Sequence, residues 1–86
     1  MEKVQQKTLL KVVNLLYDWV HLDVVGGGEE IVKSLGIELL SLVFKNLDTY
    51  AIVNEILGWS SNKELRLYDV YNIVEYRIEI GWFDDE

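Results

Sequence analysis

Residues with reactive chemistry are few in this chain and widely spaced. His21 is the only histidine, with Asp18 three positions before it and Asp23 two after. On a helix Asp18 and His21 share a face, but zinc centres take three or four protein ligands and none of the remainder stands nearby. His21 therefore reads as a surface histidine in a polar stripe. Glu75 and Glu79 suggest a carboxylate pair, yet on a strand they would stand about 13 Å apart, with Arg77 between them as a neutralising neighbour. The closing trio Asp84-Asp85-Glu86 lacks the loop that preorganises a calcium site. Gly26-Gly27-Gly28 precedes a helix and could offer backbone N–H groups to a phosphate. Glu29 and Glu30 follow at once, however, and no phosphate-loop lysine is present. No serine or lysine stands in a nucleophile pattern. The absence of cysteine removes thiolate metal sites, iron–sulfur ligation and cysteine nucleophiles together. An enzyme is not expected, nor a metal or a cofactor.

What remains is contact chemistry. Fifteen acids against eight bases give a net charge of −7. Residues 64–86 hold seven acids and two bases, so five of those seven net charges lie in the last quarter of the chain. A molecule of this sign is repelled by nucleic acid and by anionic membranes, and it suits a basic protein surface. Trp82 and Phe83 end the same stretch, and aromatic side chains provide large rigid contact area while surrounding acids steer a basic partner. The expected partner-binding residues are Trp82, Phe83, Glu75, Glu79, Asp84, Asp85 and Glu86, together with Trp59 in a polar turn.

These groups must be positioned by a small scaffold. Eighty-six residues, half of them hydrophobic, fit one acidic domain spanning 1–86. A helix is predicted over about 3–23, where Lys7, Lys11, Asn14, Asp18 and His21 recur at helical spacing as one polar stripe. Leu9, Leu10, Val12, Val13, Leu15, Leu16, Tyr17, Trp19, Val20 and Leu22 fill most of the remaining circumference. So apolar a helix is either central in the fold or shared with another chain, which makes a homo-oligomer joined through residues 9–22 an alternative. A second helical region is expected over about 29–46, where Gly36 leaves open one helix or two short ones with a turn between. A third covers about 48–57, capped near Asp48 and ended by Gly58.

From Glu64 the composition shifts toward β-branched and aromatic residues. Val74, Tyr76, Ile78, Ile80 and Trp82 alternate with Glu75, Arg77 and Glu79, and Leu65 and Leu67 alternate with Glu64 and Arg66. This pattern predicts strands over about 64–69 and 73–83 joined as a hairpin. The fold expected is α+β: three or four helices packed on a carboxyl-terminal two-stranded hairpin. An all-α bundle is the alternative, since Leu67, Val70, Tyr71, Val74 and Ile78 also share one helical face.

The segment Glu30-Ile-Val-Lys-Ser-Leu-Gly-Ile37 resembles the first helix and turn of helix-turn-helix DNA-binding domains. That resemblance implies a winged-helix-like regulator in which residues 29–47 form the helix pair and 64–83 the wing. The chain departs from the pattern at Leu39, Leu40, Val43 and Phe44, where such families place polar and basic base-reading residues. The leading expectation is therefore a non-enzymatic protein-binding module that occupies a basic partner surface. Its size and acidity match the general type of small inhibitors, antitoxins, immunity proteins and phage anti-defence proteins. Without disulfides, a signal-type leader or the roughly 18 consecutive apolar residues of a membrane span, a cytoplasmic location is expected.

Overall fold

The first segment does form a helix, and its apolar surface goes to the centre of the molecule. In the computed structural model, which describes residues 1–22 and 27–84, α1 (Lys3–Leu22) is followed by α2 (Glu29–Val43), α3 (Thr49–Ser61) and α4 (Leu67–Glu79). Leu9, Val12, Val13 and Leu16 are fully buried, and Leu10, Leu15, Tyr17, Trp19 and Val20 pack against the same core. All three other helices contact α1, whereas α2 and α4 do not touch each other. A 20-residue helix is about 30 Å long, and α1 accordingly sets the 34 Å long dimension of the molecule. Most of the expected glycine connector (residues 23–26) and the last two acids, Asp85 and Glu86, lie outside the described residues.

The expected α+β fold is corrected: the described residues form four helices and no strand. Residues 67–79, expected to span the end of one strand and most of another, are instead α4. Of the two periodicities in that stretch, the helical one matches what is buried. Val70 and Val74 have no exposure, and Leu67, Tyr71 and Ile78 pack on the core. Tyr76 and Ile80, two members of the supposed apolar strand face, point into solvent. A lone hairpin would leave two open edges and is marginal by itself, while one helical stripe fits directly against α1. Both ends of α4 carry local stop chemistry. At its start the Arg66 N–H donates to Asp69 Oδ2 at 2.9 Å, half of a capping box whose other half is absent because a guanidinium has no acceptor.

At its end, Gly81 takes φ 82°. Its N–H donates to the Ile78 carbonyl at 3.1 Å, and the Trp82 N–H donates to the Arg77 carbonyl at 2.8 Å. This is the Schellman arrangement, which closes a helix with a left-handed residue. A Cβ at Gly81 would stand 2.8 Å from Asp84 Oδ2, a side-chain end that can move aside, so it is the positive φ that favours glycine here. The reversal carries Phe83 back into the core, where it is fully buried.

Of the two arrangements open at Gly36, α2 takes the single continuous helix. Two smaller expectations are also corrected. Gly58 does not end α3, which runs on to Ser61 and places Trp59 on a helix rather than in a turn. A helical glycine costs about 1 kcal/mol relative to alanine. The buried Ile56 and Leu57 beside it and the core contact of Trp59 beyond it act against that cost, while Ser60 buries its hydroxyl without a partner among the described residues. The α2 helix stops at Val43 rather than at 46. The cap at Asp48 is present, its Oδ1 accepting from the Ala51 N–H at 3.1 Å.

Side-chain ties then lock the ends of the helices. His21 Nε2 lies 2.6 Å from the Ser60 carbonyl, which requires the proton on Nε2, and its ring stacks on Tyr17 at 4.1 Å. Trp19 Nε1 donates to the Gly27 carbonyl at 3.2 Å.

Gly36 lies where α2 packs on both α1 and α3. A Cβ there would meet Val53 Cγ2 at 3.2 Å and Val12 Cγ1 at 3.4 Å. Gly36→Val is expected to overpack this contact and lower stability by about 1–3 kcal/mol, read as a lower urea midpoint. An unchanged midpoint would show that α2 does not sit this close.

Candidate protein-binding surface

The acidic residues come together because α4 is a helix. At helical spacing Glu75 and Glu79 are one turn apart on one face, instead of the 13 Å or so a strand would impose. Tyr68 and Tyr76 flank them, 72% and 61% exposed, and Asn72 is exposed on the same side. Glu75, Ile78 and Glu79 meet Gln6 and Leu10 of α1 around a groove of about 350 Å³. Its floor is apolar, from Leu10 and Ile78, and its α4 rim is anionic.

Nothing in the described chain neutralises that rim. No hydrogen bond or ion pair to Glu75 or Glu79 occurs among the described residues, and the one ion pair resolved on α2, Lys33 to Glu29 at 3.7 Å, lies on another helix. Like charges four apart on a helix are unfavourable by a few tenths of a kcal/mol. Glu79, at the carboxyl end of α4, also opposes the helix dipole.

Arg77, the one base between the two acids in sequence, is directed elsewhere. Two positions on a helix are some 200° apart, so it leaves the acidic face. Its guanidinium carbon lies 5.0 Å from the Trp59 ring centre and 4.6 Å from that of Trp82. The two indoles are 6.4 Å apart and tilted by 47°, so the cation sits at the apex of a triangle, over both rings rather than between them. Trp82 in turn meets Phe83 edge-on at 4.9 Å. Arg77 and Trp82 occupy the two positions of the Schellman turn where an apolar contact is usual; here a cation–π contact takes its place.

The residues expected to bind a partner are thus divided. Glu75, Glu79 and Asp84 are exposed, and Trp82 is 40% exposed. Trp59 is half-buried beside Trp82. Phe83, expected as an anchor, is instead a core residue with no exposure. Asp85 and Glu86 lie outside the described residues. Sequence reasoning did not select Tyr68, Tyr76, Tyr50 or the stacking role of Arg77. A helical reading of 67–79 would have placed both tyrosines beside the acids, and Gly81 five residues before the end was the available sign of a helix stop.

The winged-helix arrangement loses its structural basis, since the wing residues form α4 and Gly36 lies inside one helix rather than in a turn. No helix among the described residues is long and apolar enough to cross a membrane. Against known protein families, characterised proteins and solved structures, the chain matches none.

Arg77→Met keeps most of the length of the side chain and removes the charge over the indoles. Loss of about 1 kcal/mol is expected, a melting temperature lower by about 4–8 °C, together with a changed near-ultraviolet circular dichroism spectrum. An unaltered aromatic spectrum would mean that Arg77 does not hold the two rings.

Proposed function

We propose that this protein is a non-enzymatic binding module that docks on a basic surface of a partner protein through the outer face of α4. The observation that carries this reading is the unneutralised pair Glu75 and Glu79, held one turn apart beside exposed tyrosines while the nearby Arg77 is held over Trp59 and Trp82. The arrangement costs the isolated helix, and a lysine or arginine from another protein would relieve it. The apolar floor of the adjoining α1–α4 groove suits the methylene stem of such a side chain, whose charged head would reach the rim. Tyr68 and Tyr76 add contact area that loses little conformational freedom on binding. This is the chemistry of a small acidic inhibitor, antitoxin, immunity or anti-defence protein, acting by occupancy in the cytoplasm.

Glu75→Lys/Glu79→Lys reverses the face at two exposed positions and is expected to leave the helical circular dichroism spectrum unchanged. Affinity capture from the native host followed by mass spectrometry should lose the basic partner with the variant and retain it with the parent chain. Equal recovery by both proteins would end this reading.

Self-association is a second reading, and one observation favours it. Most α1 apolar residues are used within the fold, Val4 and Leu22 excepted, but α2 leaves Ile31, Leu35 and Leu42 exposed at four- and seven-residue intervals, the spacing of a helix-pairing seam. Sedimentation should then show concentration-dependent mass that Leu35→Lys abolishes. A monomer at high micromolar concentration would count against it.

A further inference from the structure

Along the outer side of α3 runs a groove of about 510 Å³, lined by Tyr50, Ala51, Asn54, Glu55, Gly58 and Trp59 and by Trp82 beyond α4. From the structure we infer that this groove is a second contact site that takes an arginine-bearing segment of a partner polypeptide. The inference rests on the reading of the protein as a module for basic partners, and it names a separate surface and a specific side chain.

Three features of the groove agree. Its walls are aromatic, with Tyr50 at one end and Trp59 and Trp82 at the other, and such rings attract guanidinium groups across their faces. The chain itself demonstrates this affinity, because the same two indoles already hold the guanidinium of Arg77. Glu55 supplies the complementary charge: it is exposed, lines the groove, and makes no hydrogen bond or ion pair among the described residues. The floor is kept low. Positions 51, 54 and 58 recur at helical spacing, and a Cβ built on Gly58 would meet nothing within 4 Å. Gly58 is therefore unlike Gly36 and Gly81. No close packing and no left-handed φ requires it, yet it lies within α3 at the usual glycine cost. Its missing side chain leaves room for another backbone to approach the helix.

The groove is about nine residues of helix in length, or some 13 Å. That exceeds one side chain and fits three or four residues of extended chain. The central arginine of such a segment would lay its guanidinium beside Glu55 and against the free part of the indole pair.

The test is a nuclear magnetic resonance titration of the intact protein with capped Gly-Arg-Gly, capped Gly-Lys-Gly and capped Gly-citrulline-Gly. The side-chain N–H resonances of Trp59 and Trp82 are followed, with Trp19 as an internal reference. The arginine tripeptide should shift Trp59 and Trp82 saturably and leave Trp19 unmoved. Citrulline, isosteric but uncharged, should bind at least about tenfold more weakly, and lysine should fall between, as expected for a stacked cation. Gly58→Leu fills the floor and should abolish the shifts while the melting temperature stays level or rises. Ala51→Leu provides the same block from a second position, and Glu55→Gln should weaken binding by roughly three- to tenfold. Citrulline binding as well as arginine, or both floor variants binding like the parent, would overturn the assignment. Glu75→Lys/Glu79→Lys should leave the tripeptide shifts intact. The groove is judged by the titration and the α4 face by partner capture, so each can fail alone.

Discussion

Burial of one side of α1 is the constraint on which the remaining structure depends. Leu9, Val12, Val13 and Leu16 are wholly enclosed, and they are enclosed by helices that cannot enclose one another. Since α2 and α4 make no mutual contact, each owes its position to α1 and α3. A chain of 86 residues leaves roughly 40% of its unfolded surface exposed, so it has few ways to hide an almost all-round apolar helix. Placing that helix in the middle and laying three shorter ones around it is the arrangement that uses the surface it has. Gly36 is part of the same constraint, because α2 settles against Val12 and Val53 only while it lacks a side chain.

This dependence explains which parts of the fold were legible in the sequence. The first three helices follow from apolar periodicity, because their stripes are repeated over several turns and only one period fits. Residues 67–82 fit two. Leu67, Val70, Tyr71, Val74 and Ile78 make a helical stripe, and Val74, Tyr76, Ile78, Ile80 and Trp82 make an alternating one, with Val74 and Ile78 common to both. Pattern alone does not separate these. The separation comes from what the segment must pack on, a single cylindrical helix rather than a sheet, and from two residues at its ends. Asp69, at the end of the first expected strand, is a back-bonding helix acid; Gly81, inside the second, is the left-handed stop. Gly58 is the converse case. A glycine ends a helix only when nothing beyond it gains by continuing, and here Trp59 gains contact with the core.

The candidate surface was legible in composition and illegible in geometry. That acids and aromatics crowd the carboxyl-terminal quarter is plain from residue types. Which of them face outward depends on the reversal at Gly81. The turn sends Phe83 inward and Trp82 across to Trp59, and it draws Arg77 away from the acids that flank it in sequence. The strand reading sets Arg77 on the face of Glu75 and Glu79 and keeps those two acids about 13 Å apart; the helix reverses both relations. A two-residue separation means the same face of a strand, as for 75, 77 and 79. On a helix it means nearly opposite sides.

Small proteins have a narrow stability margin, so features that cost stability without an internal return are informative. Three stand out among the described residues. Glu75 and Glu79 repel each other at the end of α4 where negative charge is least welcome. Gly58 lowers the helical stability of α3 with open space where its Cβ would be. Tyr68 and Tyr76 remain largely in water although rings of that size favour burial. By contrast, Gly36 and Gly81 carry comparable intrinsic costs and each is offset by a close contact or a turn that glycine makes most readily. The division is therefore not between favourable and unfavourable residues but between costs offset inside the chain and costs that nothing among the described residues offsets. Those of the second kind fall on α3 and α4, the two helices joined by the Trp59–Arg77–Trp82 stack. That stack lets the fold present uncompensated acids and open aromatic surface while using its own nearby cation as a structural pin.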